Sequence, residues 1–358
     1  MAAEDVVVGG TGLLTAVGLS APETAGSVES GVMRFEEIDW LDRGFEPFTL
    51  ATVAEENLPP LAEALHAEFG LTTRETRLLR LAAPALAECL EPLAQRSGLL
   101  SVIMALPDAA GSVPIDPKRF LGWLQIQSGV GLDLAGSTVV TKGRAGGLIA
   151  LELARRQLSS GGRHVLAVGG VDSYLDPYLL GTLDLEGRIK SERHLDGFIP
   201  GEGAAFLFLT SRRGAEAASL KALATLAPGG ESFEKGHFYS PEPYLGDGLA
   251  AALQGLFDAA RLTSPVQEVY SSMNGESHWA KEWGVALLRN KDAIAEAHAI
   301  HHPADCYGDL GAAAGPAMTI LAALGLRDRS RRSPTLVYAS SDRGERAAIA
   351  LMEIAGGT

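Results

Sequence analysis

Val139-Val140-Thr141-Lys142-Gly143-Arg144-Ala145-Gly146-Gly147 runs from a β-branched pair through a basic, glycine-bearing turn into a segment of helical periodicity. The two valines close a strand over 136–140. Leu148, Leu151 and Leu158 then fall on one face of a helix over 145–158, with Arg155 and Arg156 elsewhere on it. Such a turn sits at a helix N-terminus, where unpaired backbone N–H groups and the helix dipole favour negative charge. Many enzymes place a nucleophile there. In this chain the position carries the guanidinium of Arg144.

Outward from this turn the chain repeats strand, glycine-rich loop and helix, the grammar of a layered α/β protein. Val6-Val7-Val8 precedes Gly9-Gly10-Thr11-Gly12, a helix is expected over 73–93 with Pro92 disturbing its end, and 101–106 reads as a buried strand. A strand at 164–168 closes on Gly169-Gly170, and the almost wholly apolar 204–209 reads as a central strand. The second half predicts a helix over 246–262, a strand over 266–271, an Ala-rich helix over 312–326, and strands 335–339 and 347–354 flanking the polar turn 340–346. The spacing is compatible with two strand-and-helix halves, 1–212 and 213–358. The segment 36–72, rich in proline and acidic residues, reads as an irregular cap.

Composition narrows the function. A chain of 358 residues, 46% hydrophobic and 21% charged, can bury a large core and is not a disordered polymer. A net charge of -14 speaks against nucleic acid or an anionic membrane surface as partner, since both demand clustered cations. Small molecules and proteins remain. Cys89 and Cys306 make no disulfide framework, residues 1–5 do not open a secretory leader, and no segment reaches membrane-spanning length, so a cytoplasmic location is expected.

Several blocks together resemble the β-ketoacyl synthases of the thiolase superfamily. Val6 to Gly12 with Gly18 is similar to that family's opening strand and loop, and Gly143 to Ala154 followed by Val165 to Ser173 to its nucleophile helix and next strand. Asp196-Gly197-Phe198-Ile199-Pro200-Gly201-Glu202-Gly203-Ala204-Ala205 is the most specific match, to Asp-Gly-Phe-x-x-Gly-Glu-Gly-Ala. Gly308-Asp309-Leu310-Gly311-Ala312-Ala313-Ala314-Gly315 resembles the late Gly-His-x-x-Gly-Ala-x-Gly block. The resemblance implies a thiolase-like fold: duplicated βαβαβ halves in an αβαβα five-layer arrangement.

The departures fall on the chemistry. The resemblance puts Arg144 where the family has its acyl-accepting cysteine, Asn274 and Asp309 where it has two histidines, Ala304 where it has a lysine, and Ser341-Asp342-Arg343-Gly344 where it has a Gly-Phe-Gly-Gly gate. A guanidinium offers no nucleophilic lone pair, and an amide and a carboxylate do not replace two imidazoles. Loss of condensing activity is therefore expected.

Arg144 and Lys142 could clamp an anion at the helix N-terminus. The preferred expectation is instead an internal ion pair filling the former pocket, with Asp309 or Glu276 as partner and Arg144 within reach of Asp309. Asn274 and Asp342 complete the pocket candidates. Cys306 is kept as an alternative nucleophile. Asp196 and Glu202 are expected to brace a loop rather than react. His298, His301 and His302, with Asp305 and Cys306 beyond, are read as a solvated helix end rather than a metal site. Gly10-x-Gly12 fails the dinucleotide fingerprint because Thr15 occupies the third small position, and no cofactor is expected.

The functional expectation is a non-catalytic scaffold, adaptor or partner subunit, resembling a chain-length factor or an accessory protein of a bacterial secretion effector. A homodimer, or a heterodimer with a ketosynthase-like, effector or adaptor protein, is expected, with an acyl carrier protein as a further partner. In the family the strand before the nucleophile pairs across the two-fold axis. The alternative is a hydrolase or acyltransferase that binds acyl thioesters in a remodelled pocket.

Overall fold

The computed structural model describes residues 4–93, 98–108, 114–161 and 163–354. The first half contains β1 (Val6–Thr15), α1 (Ala21–Glu29), β2 (Glu36–Leu41), β3 (Pro47–Leu50), α2 (Thr73–Leu90), β4 (Val102–Ala105) and α3 (Pro117–Ser128). It continues with β5 (Thr138–Val140), α4 (Gly146–Ser159), β6 (Val165–Ser173), α5 (Pro177–Leu185), β7 (Glu202–Ser211) and α6 (Arg212–Ala217). The second half holds β8 (Ala224–Leu226), β9 (Gly230–Phe233), α7 (Asp247–Ala260), β10 (Val266–Ser271), α8 (Ser277–Arg289) and β11 (Ile294–His301). It ends with α9 (Ala304–Tyr307), α10 (Ala314–Arg327), β12 (Thr335–Ser340) and β13 (Glu345–Met352).

Local chemistry sets several of these boundaries. Thr72 and Glu75 form a reciprocal capping box at the start of α2. Asp116 and Asp176 accept backbone N–H groups at the starts of α3 and α5, each followed by proline in the first turn.

The sheet shows a duplication. One half runs β5-β4-β6-β7-β1 and the other β11-β10-β12-β13-β8; ranked in chain order among the five strands of each path, both read third, second, fourth, fifth, first. The pairing senses also agree: the first three strands of each order are mutually parallel, and the next two contacts are antiparallel. Antiparallel pairing of Val6, Val7 and Val8 with β8 joins the halves into one path, and β9 hangs off β13.

Side-chain alternation builds the layers. Along β4, Ile103 joins the cluster holding α4 and α10, whereas Val102 and Met104 face α2 and α3. Leu148 and Leu151 of α4 and Ile320 and Leu324 of α10 form the central layer, shared with Leu207 of one half and Val337 and Ile349 of the other. Leu78 and Leu86 of α2 and Phe120 of α3 cover the outer face of the first half; Leu253 of α7 and Trp283 of α8 cover the second. Helix, sheet, helix, sheet, helix is the five-layer arrangement.

The central contact requires a missing side chain. A Cβ on Gly147 would stand 2.1 Å from Pro316 Cδ, so glycine lets α4 and α10 meet.

Two expectations are corrected. Segment 36–72 is not irregular throughout: β2 and β3 pair as a separate hairpin, and Phe48 and Leu50 pack on Leu180, Leu183 and Phe198. His298 and His301 lie in β11, the edge strand that pairs in parallel with β10, not at a helix end; the stretch from His298 to His301 is half-buried along that pairing. No group of three metal-binding side chains occurs among the described residues, and no described helix is long and apolar enough to cross a membrane.

Candidate functional site

Arg144 occupies a 3-10 turn, Gly143–Ala145, between β5 and α4, and the left-handed φ of +55° at Gly143 starts that turn. No side chain caps α4. Instead the Ala145 N–H donates to Ser341 Oγ at 2.9 Å, and that hydroxyl donates to the Lys142 carbonyl at 2.5 Å. One serine thus ties the turn to the β12–β13 loop. Asn274 follows β10, Asp309 lies between α9 and α10, and Asp342 follows β12, so the side chains converge beyond the carboxyl ends of strands, where α/β proteins assemble their sites.

Arg144 is 3% exposed. Its Nε donates to Asp309 at 2.5 Å and its Nη1 to Asp342 at 2.5 Å. Asp309 also accepts from the Asn274 amide at 2.8 Å and the Gly311 N–H at 2.8 Å. A second guanidinium completes the cluster: Arg188 grips Glu276 through Nε and Nη2, both at 2.8 Å, and donates to Asp342 at 2.7 Å. Glu276 accepts further from Trp279 Nε1 at 2.9 Å, and Asn274 links it to Asp309. Trp279 lies 5.3 Å from the Arg144 guanidinium carbon, and Phe198 stands near both arginines at 5.7 and 5.5 Å.

Burial opposes the charges of Arg144, Arg188 and Asp342, and their partners overcome it. The Arg144 guanidinium is held well above its ordinary value by Asp309 and Asp342 despite that penalty, and Arg188 likewise by Asp342 and Glu276. Asp342 sits below the ordinary carboxylate range because Arg144 and Arg188 outweigh its desolvation. Such a site stores charge in fixed pairs.

Arg144, Asn274, Glu276, Asp309 and Asp342 thus meet in one network. Lys142 does not enter it; its ammonium points to the surface and pairs with Glu345 at 2.9 Å. Ala304, at the start of α9, lines a small recess beside Asp309. Cys306 belongs to the central apolar cluster, and burial, with Asp305 adding to it, pushes its thiol upward, away from the reactive thiolate. Asp196 accepts from the Ser277 N–H at 2.6 Å and hydroxyl at 2.8 Å, fastening its loop to α8. Glu202 is buried and accepts from Arg77, the Val53 N–H and the Ser173 hydroxyl.

Arg188 escaped the sequence reading because it stands in a polar turn, Glu186-Gly187-Arg188, outside every recognised block. The available signal was charge: Glu276, Asp309 and Asp342 in one pocket exceed what Arg144 alone can neutralise.

Asp342 carries a pH consequence. Its folded-state pKa lies below the unfolded value of about 3.9, so its stabilisation is complete above that value and is lost as pH falls through the folded pKa. Thermal melts between neutral pH and pH 3 should show Asp342→Asn less stable than the parent at neutral pH, with the gap narrowing below about pH 4. A constant gap would exclude a charged Asp342 in the network.

Beside the network lies a cavity of about 110 Å³, bounded by Arg74, Arg144, Tyr174, Leu179, Leu183 and Asp342 among others. Tyr239, its hydroxyl pushed up to about 12 by burial, stands at its rim, donating to Glu186 at 2.6 Å with Arg343 4.9 Å from its ring.

Comparison with known proteins bears on this geometry. Residues 130–215 match the family model described as Beta-ketoacyl synthase, N-terminal domain. No curated protein matches the chain by sequence. Among solved structures it is similar to the ishigamide ketosynthase/chain length factor, at 16% identity and a TM-score of 0.78 over 99% of this chain and 100% of that one. It is similar to a type II polyketide synthase ketosynthase, AntDE, solved with its acyl carrier protein AntF, at 16% identity and TM-score 0.77 over 98% and 100%. A third is the ketosynthase ApeO in complex with its chain length factor ApeC from Xenorhabdus doucetiae, at 18% identity and TM-score 0.75 over 98% of each chain. The chain therefore has the thiolase-like fold of the ketosynthases, with Arg144 at the turn that opens its first central helix.

Proposed function

We propose that this protein is a ketosynthase-fold subunit that does not condense acyl chains and serves as the non-catalytic partner of another protein. The observation that carries the reading is the Arg144 side chain, which fills the turn where a nucleophile would stand and is locked there by Asp309 and Asp342. A guanidinium so paired does not attack a thioester.

The favoured partner is a ketosynthase-like subunit, because two of the structural neighbours pair a ketosynthase with a chain length factor. An acyl carrier protein follows as a transient partner from the neighbour solved with one. An effector or adaptor protein is the competing partner. Strand β5 ends the sheet with its outer edge unpaired among the described strands, which suits pairing across a two-fold axis.

The test is incubation of the full chain with acyl thioesters, followed by intact-mass measurement and assay for free thiol. No covalent adduct and no turnover are expected. Turnover that disappears in Arg144→Ala would replace this reading with that of a hydrolase or acyltransferase. Arg144→Cys should remain without condensing activity, because Asn274 and Asp309 supply neither imidazole; measurable condensation by that variant would refute the role given to those two positions. Light scattering should show a dimer, alone or with the co-purifying partner.

A further inference from the structure

Apolar side chains gather at the surface where the β2–β3 hairpin meets α5. Trp40, Leu41, Phe48, Pro177, Tyr178 and Leu185 line a groove of about 500 Å³ there. Trp40, Leu41, Tyr178 and Leu185 are exposed, and so is Phe45 at the hairpin tip. Exposed Leu195 extends the same face, because the Arg193–Asp42 ion pair and the Arg43–His194 hydrogen bond fasten its loop to that tip. Exposed apolar residues scattered singly are ordinary, whereas a contiguous set marks an interaction surface.

Phe45 is the residue that the fold does not explain. Asp42 builds the tip: its carbonyl accepts from the Phe45 N–H at 2.9 Å, and its carboxylate from the Gly44 N–H at 2.7 Å and the Glu46 N–H at 3.0 Å. Phe45 takes a left-handed φ of +65°, a conformation that turns favour for glycine or asparagine and that is an outlier for a bulky side chain. The glycine beside it serves another need, since a Cβ on Gly44 would stand 1.4 Å from Arg193 Nη1. At 82% exposure the Phe45 ring offsets little of its strain by packing within the chain. Strain of this kind persists where a function uses it.

Charge selects the occupant. Arg43 is matched by Asp184 and Arg193 by Asp42. Among the described residues, exposed Glu36, Glu37 and Asp39 of β2 and exposed Glu192 form no ion pair, and against them stands the unpaired ammonium of Lys190. A second copy of this chain would bring the same carboxylates face to face, and any anionic partner would be repelled. We propose that the groove receives a basic amphipathic helix of a partner protein, laid with its apolar face between α5 and the hairpin and anchored by the Phe45 ring. The proposal rests on the partner role and adds a face built from elements other than β5, so its failure would leave the acyl-thioester and light-scattering tests of that role untouched.

Fluorescence anisotropy of the dye-labelled helical peptide LKKLLKLLKKLLKL, titrated with the full chain at physiological ionic strength, tests it beside the same peptide with glutamate in place of lysine. Saturable one-to-one binding of the lysine peptide is expected, with the glutamate peptide about tenfold weaker. Phe45→Gly should weaken lysine-peptide binding about tenfold while leaving Tm unchanged or raised, because it relieves the left-handed strain and leaves every charge in place. Trp40→Ser should weaken binding similarly, and Leu288→Ser, at an exposed position of α8, should leave it unchanged. Absence of lysine-peptide binding, binding unchanged in either Phe45→Gly or Trp40→Ser, or an equal loss in Leu288→Ser would overturn the docking face. Glutamate-peptide binding as tight as that of the lysine peptide would overturn the assignment of a basic partner.

Discussion

Arg144→Leu should cost about 3–5 kcal/mol of folding stability, because it leaves the buried carboxylate Asp309 without the cation that compensates it. For a chain of this length, with an unfolding entropy near 2 cal/mol/K per residue, the corresponding fall in Tm is about 5 °C, read by calorimetry. The loss should not be additive. Removing the charge of Asp309 as well, in Arg144→Leu with Asp309→Asn, should recover part of it, since an amide costs less to bury than an unpaired carboxylate. Arg188 still neutralises Asp342 in both variants, which is why the cluster is weakened rather than emptied. An unchanged Tm in Arg144→Leu would mean that the pairing with Asp309 and Asp342 contributes nothing to the fold. A double variant worse than the single would assign the main burden to Asn274, whose amide also leans on Asp309.

What could be read beforehand followed the range over which each signal acts. The 145–158 helix and the strand before it were legible because periodicity and a glycine turn are local; the structure has α4 over Gly146–Ser159, shifted by one residue, and β5 over Thr138–Val140, inside the expected strand. The five-layer fold was legible because the family's blocks occur in order around glycines that a close-packed fold demands, as at Gly147. Arg188 was not, since its meaning depends on Glu276 and Asp342, 88 and 154 residues away. The hairpin β2–β3 was hidden for a different reason. Its strand Glu36–Leu41 is almost wholly exposed, so no alternation of apolar and polar side chains marks it; packing of Phe48 and Leu50 on α5 holds it in place. His298 and His301 misled because three-residue spacing fits a helix as well as an edge strand with half-buried positions.

Gly12→Ala should be more damaging than its one added methyl suggests, and it explains a motif that composition alone leaves ambiguous. Gly9-Gly10-Thr11-Gly12 invites comparison with a phosphate-binding loop, yet these residues lie inside strand β1. A Cβ at Gly12 would stand 1.9 Å from the Ala85 carbonyl oxygen and 2.7 Å from the Cys89 nitrogen, both backbone atoms of α2. The glycine is there so that the helix can lie directly on the strand. Helix backbone cannot swing aside as a flexible side chain can, so α2 must lift off β1 and loosen Leu78, Leu86 and Phe208 with it. A cost of about 3 kcal/mol or more is expected, at the upper end of overpacking effects. Gly26→Ala supplies the opposite case: it adds the same methyl within α1, where nothing lies within 4 Å, and should stabilise by about 0.5–1 kcal/mol through helix propensity. Calorimetric melts of the two variants should therefore move in opposite directions from the parent. Equal shifts would show that the contact between α2 and β1 is looser than this packing requires, and would reopen the question of what the glycines of β1 are for.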